Sequence, residues 1–202
     1  MRLHPFLLLA ASLCPLSVQS QANFLYLGGG LNLSTFVLDL PSGAEPPDQS
    51  FRSGFGVSGG LQTQPAPNVA VNIGLGYETR GAVWTIGGEE GTVKFNYFHV
   101  PLAIKLIGAN PGPRPYFAPG VDLAFLTSSE IEVGSQSEDI ENVANMDLDL
   151  GAALGVEIPA GRNFVFLEAG YAYGLLDTND ESSQAAANNS NIKLRGGILF
   201  AM

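Results

Sequence analysis

Cysteine and histidine are almost missing from this 202-residue sequence, which holds one cysteine, Cys14, and two histidines. Beyond residue 22 no cysteine remains and His99 is the only histidine. This excludes a disulfide framework there and leaves too few ligands for a metal centre of several His and Cys residues. Because His99 is followed by Val100-Pro101, no histidine–serine pair of the deacylase kind is present. We therefore predict no catalytic, cofactor-binding or metal-ligating residue, no cofactor, and a non-enzymatic protein in which His99 is an interior or rim polar residue.

Long apolar runs are also missing after residue 22, so no segment there reaches the length of about 20 residues that a membrane-spanning helix needs. The N-terminus differs from the rest of the chain. Arg2 precedes a short apolar run over residues 6–13, and Ser20-Gln21-Ala22 supplies small residues for cleavage. These three parts predict a secretory signal peptide over residues 1–22 and one mature domain over residues 23–202. A buried N-terminal helix is the alternative.

Charged residues make up only 14% of the chain, whereas glycine occurs 25 times. Glycine at this frequency disfavours long helices, since each costs about 1 kcal/mol in a helix interior. From residue 23 onward, short segments instead place an apolar side chain at every second position, as in Ile192, Leu194, Ile198 and Phe200. This period of two is typical of strands with one apolar face. Eight such segments are predicted, over residues 24–36, 51–63, 69–80, 93–107, 115–128, 147–158, 164–176 and 191–202.

The connections between these segments alternate in length along the whole chain. Three are short, at residues 65–68, 108–114 and 160–163. The other four are longer and polar, near residues 37–50, 81–92, 129–146 and 177–190. Bacterial outer-membrane barrels have short periplasmic turns and longer extracellular loops. The sequence therefore predicts an all-β fold, an eight-stranded antiparallel up-and-down transmembrane β-barrel in the bacterial outer membrane.

A soluble, lipocalin-like barrel is the alternative, with the apolar face lining a cavity. The polar face decides between them, because it consists largely of Gly, Ala, Ser and Asn with a balanced set of charges. Five positive and five negative residues are predicted to form a structural polar network inside the barrel: Arg52, Arg80, Lys105, Lys193 and Arg195, with Glu78, Asp122, Asp149, Glu157 and Glu168. A crowded interior needs such balance, since unpaired buried charges are costly. The apolar face, with its bulky side chains, is then the lipid contact.

The C-terminal segment matches the assembly signal of outer-membrane barrels. Arg195 is followed two places later by Gly197, with Phe200 and Met202 at the apolar positions beyond it. We expect the barrel-assembly machinery to recognise this signal during insertion. Met202 departs from the pattern because an aromatic residue is usual at the last position.

Several motifs resemble those of the PorT-like outer-membrane β-barrel proteins. The stretch over residues 97–105, Tyr-Phe-His-Val-Pro-Leu-Ala-Ile-Lys, is similar to a strand of that family with an Ile-Pro-Leu core and a closing Lys. Residues 115–120, 149–157 and 167–171 resemble its later strands, although Gly170 stands where the family often has Arg. The resemblance implies a location and a fold and no single activity. Independently of it, Pro101 in mid-strand predicts a bulge or a local break in pairing.

The long connections are strongly acidic and contain no Lys or Arg. Their acidic residues are Asp39, Glu45, Asp48, Glu89, Glu90, Glu130, Glu132, Glu138, Asp139, Glu141, Asp177, Asp180 and Glu181. Nucleic acid is excluded as a partner because phosphates demand cationic surface. These loops are interpreted as solvated, or as weak sites for divalent cations that also bridge anionic lipid head groups. We predict a structural or surface-interaction role; the alternatives are a narrow, porin-like channel for ions or small solutes, and a lipid-modifying enzyme at the outer rim.

Overall fold

The computed structural model describes residues 22–40, 47–86, 89–134, 136–140, 143–178 and 186–202. The predicted signal peptide, apart from Ala22, lies outside the described residues. In the described parts of the chain, no helix is long and apolar enough to cross a membrane. Those parts form nine β-strands: β1 Ala22–Asp39, β2 Asp48–Ala66, β3 Val69–Ile86, β4 Glu89–Ile107, β5 Arg114–Val133, β6 Gln136–Asp139, β7 Met146–Ala160, β8 Asn163–Gly174 and β9 Ala186–Ala201.

Eight of these strands close into a ring of antiparallel neighbours. Going round the ring, the strands follow the order β4-β3-β2-β1-β9-β8-β7-β5, and pairing between β4 and β5 closes it. The first and last strands pair along most of their length, from Phe24 opposite Ala201 to Asp39 opposite Ala186. This confirms the predicted eight-stranded antiparallel up-and-down barrel. The strand β6 is additional and pairs only with the end of β5.

The strands are longer than the sequence pattern predicted. Residues 81–86 and 89–92, assigned to a loop, continue the hairpin of β3 and β4. Residues 129–133 extend β5, and residues 186–190 extend β9. The predicted extents of the long loops were therefore wrong. Alternating hydrophobicity defines only the lipid-facing part of a strand, and it fades where the same hydrogen-bonded ladder continues into solvent.

Side chains alternate between the two faces of the barrel wall as the period of two requires. Leu27 and Leu154 on the outer face are 61% and 67% exposed, whereas Arg80 and Glu157 on the inner face are 0% exposed. The large apolar side chains that point outward come from all eight strands of the ring. An exposed apolar surface of this extent is suited to contact with lipid.

Aromatic clusters inside the barrel were not predicted. Towards the short turns, Phe24, Tyr26, Phe166 and Leu199 form what we call the turn-side aromatic cluster. Towards the long connections, Phe36, Ala82, Phe95, Tyr97 and Ala124 form the loop-side aromatic cluster. The expectation that small residues and charges alone fill the inner face was therefore incomplete.

Pro101 lies where the pairing of β3 with β4 is locally interrupted. The register runs from Val69 to Ile73, stops for two residues, and resumes at Gly76 opposite His99 with the same offset. On its other side β4 pairs continuously with β5 from Tyr97 to Ala103, with Pro101 opposite Asp122. The predicted local break is confirmed, and it occurs without a bulge between these two strands because proline removes only one backbone donor.

Candidate functional site

Arg80 is the centre of a buried group of charges that we call the central ion cluster: Glu78, Arg80, His99, Asp122, Asp147, Asp149 and Lys193. Its Nε donates to Oε1 of Glu78 at 2.6 Å, and Nη1 donates to Oδ2 of Asp147 at 3.2 Å. Its terminal nitrogens also contact both carboxylate oxygens of Asp149. The guanidinium lies 4.8 Å from the ring centre of Tyr97. A planar group with five donors is suited to such multiple contacts.

Two more residues complete this cluster: Lys193, on the distant strand β9, and His99, on β4 next to β3. The Nζ of Lys193 donates to Glu78 at 2.8 Å and to Asp122 at 3.4 Å. Nδ1 of His99 lies 2.9 Å from both oxygens of Asp122. His99 is 1% exposed, as expected for an interior polar residue. Its Nε2 fits only because residue 76 is glycine, since a Cβ there would collide with the ring.

The cluster also brings together three groups that are able to bind a metal ion. Ligand atoms of Glu78, His99 and Asp122 all lie within 4.8 Å of one another. However, the ammonium group of Lys193 lies between the two carboxylates and already provides the compensating positive charge. A cation would have to displace it, so the residues do not fit a metal centre well.

A second buried group of charges, the turn-side ion cluster, lies nearer the short turns: Lys105, Arg114, Glu157, Glu168 and Arg195. Glu157 accepts from Lys105 at 3.0 Å and from Arg114 at 2.5 Å. Glu168 pairs with Arg195 at 2.7 Å and accepts from the hydroxyl of Tyr116 at 2.8 Å. The pairs Arg114–Glu157 and Glu168–Arg195 join residues directly opposite one another on neighbouring strands. The contacts of Lys105 with Glu157 and of Tyr116 with Glu168 each span one intervening strand.

Two small cavities lie among these clusters. One cavity of about 70 Å³ is lined by Tyr26, Lys105, Phe166 and other inner-face residues. A second, of about 80 Å³, is lined in part by Asp122, Asp149 and Lys193. Cavities of this size hold a few water molecules. Narrow barrels of eight strands are generally filled by side chains in this way.

Nine of the ten residues predicted for the interior network are charged partners in these two clusters: Glu78, Arg80, Lys105, Asp122, Asp149, Glu157, Glu168, Lys193 and Arg195. Arg52 differs, because its Nη1 donates to the backbone oxygen of Arg80 at 3.3 Å rather than to a carboxylate. Arg114 and Asp147 were missed. Asp147 shares the face of Asp149 two residues away, a signal that was available, whereas Arg114 was assigned to a turn.

The four residues of the predicted C-terminal signal occupy both faces of β9 and the residue after it. Arg195 points inward to Glu168, and Gly197 packs closely against Gly28 and Phe166 on the inner face. Phe200 and Met202 are exposed on the outer face. The backbone nitrogen of Met202 donates to the oxygen of Asn23, so the end of the chain is held to β1.

The acidic residues of the long connections that the structure describes lie at the opposite end of the barrel from the short turns. Glu132, Glu138 and Asp139 are exposed there. Lys94, near this end of β4, lies 3.5 Å from Glu130 and partly offsets the negative charge. The side chain of Glu89 is not described, and four predicted acidic positions fall outside the described residues: Glu45, Glu141, Asp180 and Glu181.

A closed ring of antiparallel strands with an apolar exterior and a buried ionic interior defines an integral membrane β-barrel. Residues 19–180 match the model of the outer membrane protein beta-barrel domain family, and the chain belongs to that family. It is therefore a protein of the bacterial outer membrane. Barrels of this membrane have short periplasmic turns and longer extracellular loops.

Solved structures of other outer-membrane proteins share this fold at low sequence identity. Neisserial surface protein A has 13% identity and a TM-score of 0.52, with 88% of this chain and 97% of that chain covered. Ail, the attachment invasion locus protein of Yersinia pestis, has 15% identity and a TM-score of 0.43 over 89% and 99%. The outer membrane protease OmpT of Escherichia coli has 11% identity and a TM-score of 0.47 over 92% and 98%. No curated protein matches the sequence.

Proposed function

We propose that this protein is a non-enzymatic outer-membrane barrel with a structural or surface-interaction role carried by its acidic extracellular end. The observation that carries the proposal is the filled interior. Two ion clusters and two aromatic clusters occupy the inside of the barrel, and the cavities between them measure about 70 and 80 Å³. In a barrel packed in this way, the groups that are accessible to other molecules lie on the outer surfaces.

The exposed groups at the extracellular surface are mainly negatively charged. Glu132, Glu138 and Asp139 are exposed, and Lys94 is the cation paired there with Glu130 in the described part of the chain. Such a surface attracts cationic partners and repels anionic ones. Weak binding of divalent cations, bridging to anionic lipid head groups, is a further consequence that we propose. The other partners are the lipid around the apolar belt and, during insertion, the barrel-assembly machinery.

The role is tested on intact cells. Replacing the exposed acids together, E132Q/E138Q/D139N, is expected to reduce attachment of cationic beads to the cells several-fold. The matched control is S137A, at another exposed position of β6, which leaves the surface charge unchanged. Attachment that equals that of cells without the protein, for the wild type as well as for the variant, would contradict the surface role.

A narrow channel is the competing function, and planar-bilayer conductance separates it from the proposal. The Arg80 guanidinium and the aromatic ring of Tyr97 are buried inside the barrel, 4.8 Å apart. We expect no steady single-channel steps from the purified wild-type protein. Regular steps with a constant amplitude would favour the channel.

A lipid-modifying activity is less compatible with the position of the one histidine of the mature chain. His99 lies inside the barrel, bonded to Asp122, and does not face the outer leaflet. The mass profile of lipid A is expected to be the same in cells with and without the protein. A new acylated or deacylated species would establish the enzyme instead.

Within the family we further propose a PorT-like protein, which the motifs over residues 97–105 and 115–120 support. We propose residues 1–22 as the export signal and residues 23–202 as the mature barrel. The mass of the protein purified from outer membranes tests this division, since cleavage after Ala22 gives a chain that begins at Asn23. A mass that includes the first 22 residues would contradict it.

A further inference from the structure

The strand β5 changes its pairing partner part of the way along its length. From Arg114 to Phe125, β5 pairs with β7. Further towards the extracellular end, Glu130 to Val133 pair instead with the short strand β6, Asp139 to Gln136. In the described part of the chain β6 has no second neighbour, so it is an edge strand outside the closed ring.

The free edge of β6 presents backbone groups to solvent. The nitrogen of Ile140 donates to the oxygen of Ser129 at 3.0 Å, which fixes the direction of the backbone groups in this hairpin. In an antiparallel pair, alternate residues direct both their N–H and C=O groups to the partner. Ile140, Glu138 and Gln136 therefore face β5, while Ser137 and Asp139 direct theirs away from it. All four residues of β6 are exposed.

The negative charge around this edge determines which partners are able to bind there. Glu138 and Asp139 lie on β6 itself, beside Glu132 on β5, and residues 129–146 contain no Lys or Arg. A second copy of the chain, pairing edge to edge, would bring like charges opposite one another, and such pairs are destabilising. An extended segment with positive side chains instead gains both the backbone hydrogen bonds and the attraction between charges.

We propose that the free edge of β6 binds an extended, lysine- or arginine-bearing segment of another polypeptide as an additional β-strand. This inference rests on the proposed surface role and specifies its site and partner chemistry. Backbone bonds to Ser137 and Asp139 hold the segment, and the carboxylates of Glu138 and Asp139 contact its cationic side chains on the two faces of the sheet.

The test uses the purified mature barrel in lipid nanodiscs and a labelled synthetic peptide in which lysine alternates with threonine and valine. Binding is measured by fluorescence anisotropy. Two further peptides separate the contributions to binding. One carries N-methyl groups at alternate residues and cannot complete the ladder, and the other has glutamate in place of lysine. We expect the lysine peptide to bind about tenfold more tightly than either of them.

Variants of β6 provide the matched controls on the protein side. Ser137→Pro removes the outward-facing N–H, and proline is tolerated at the free side of an edge strand. It is expected to weaken binding about tenfold, whereas Ser137→Ala changes it less than about twofold. E138Q/D139N is expected to weaken binding several-fold and to reduce its dependence on salt. Heat-modifiable migration on a gel verifies that each variant is folded.

Two results would overturn the edge site: equal binding of the lysine peptide and its N-methylated form, or equal binding by S137P and S137A. Either would show that charge alone is recognised, and the surface role would remain. Bead attachment in the cell assay should be reduced by E132Q/E138Q/D139N and unchanged by S137P, because a bead has no peptide backbone and reports only the surface charge. If the lysine peptide does not bind the wild-type protein at all, the edge site is rejected directly.

Discussion

Lys193 on the last strand and Glu78 on the third, 115 positions apart in the chain, form an ion pair inside the barrel. The ammonium group donates to both carboxylate oxygens, at 3.1 and 2.8 Å, and both side chains are almost completely buried. The pair reaches across the interior between walls that are not sheet neighbours. Closure of the ring therefore places Lys193 beside Glu78 and compensates its buried negative charge. It also completes the backbone hydrogen bonds between β1 and β9.

Removal of one partner of this pair is expected to cost more than removal of both. Lys193→Met leaves Glu78 and Asp122 with less positive charge in a buried site, and breaking such pairs typically costs about 3–5 kcal/mol. The double variant E78Q/K193M should lose less, because Asp122, which keeps its contact with His99, is then the one carboxylate deprived of Lys193. The free energy of unfolding in guanidinium, measured in lipid vesicles by circular dichroism, compares them. A double variant less stable than K193M would contradict this account.

Arg80 is expected to be the most sensitive charged position in the barrel. Arg80→Met leaves Glu78, Asp147 and Asp149 close together with only Lys193 nearby, so we expect a loss of at least about 3–5 kcal/mol or failure to fold. Arg162→Met, in the exposed turn between β7 and β8, is the control and should change stability by less than about 0.5 kcal/mol. Equal stability of the two variants would mean that the central ion cluster does not stabilise the barrel.

The lipid-facing pattern is what made most of the fold predictable. A side chain such as Leu154 must be apolar because it contacts lipid, and an enclosed carboxylate such as Glu157 must be paired with a cation. Both requirements produce a sequence pattern with a period of two residues. Beyond the membrane this constraint ends. The ladder of β3 with β4 continues to Ile86 opposite Glu89 without any alternation that marks it. For the same reason the strand β6 was not predicted.

The composition of the interior was only partly predictable. Charges must be paired inside a barrel, which explains why Glu78 and Lys193 were identified as interior residues. Aromatic residues such as Phe36 and Phe95 are as well suited to the interior as to the lipid-facing surface. Polarity therefore does not show which face of the strand they occupy. Arg114 lies at the first residue of β5, where its direction depends on the exact start of the strand.

The close approach of Phe166 to Gly28 gives a further prediction. A Cβ at residue 28 would lie 2.6 Å from Cζ of Phe166, so Gly28→Ala is expected to destabilise the barrel by about 1–3 kcal/mol. Phe166→Leu should recover part of this loss, because the shorter side chain leaves the space free. Gly112→Ala is the control, since nothing lies within 4 Å of a Cβ there. Additive losses in the double variant G28A/F166L, measured by unfolding, would show that the two residues are not coupled.

The orientation of the barrel predicts where proteases cut in intact cells. A glutamate-specific protease is expected to cleave at the exposed Glu138 and to leave the buried Glu78 and Glu157 intact. Trypsin should cut after Arg162, in the short turn, only when the outer membrane has been permeabilised. Mass spectrometry of the fragments identifies the sites. Cleavage after Arg162 in intact cells would reverse the assignment of the two ends.

The last residues of the chain are expected to limit how efficiently the barrel assembles. Phe200 and Met202 point outward beside the lipid, and Met202 replaces the aromatic residue usual in the assembly signal. If the machinery reads this outer face, Met202→Phe should raise the fraction of folded protein in the outer membrane, and Phe200→Ala should lower it several-fold. Ile192→Ala removes an apolar side chain from the same face but outside the signal, so it separates recognition from simple loss of lipid contact. The fraction of heat-modifiable protein at equal synthesis measures each effect. If I192A and F200A reduce that fraction equally, the segment contributes only apolar surface. The interpretation of this segment as an assembly signal would then be wrong.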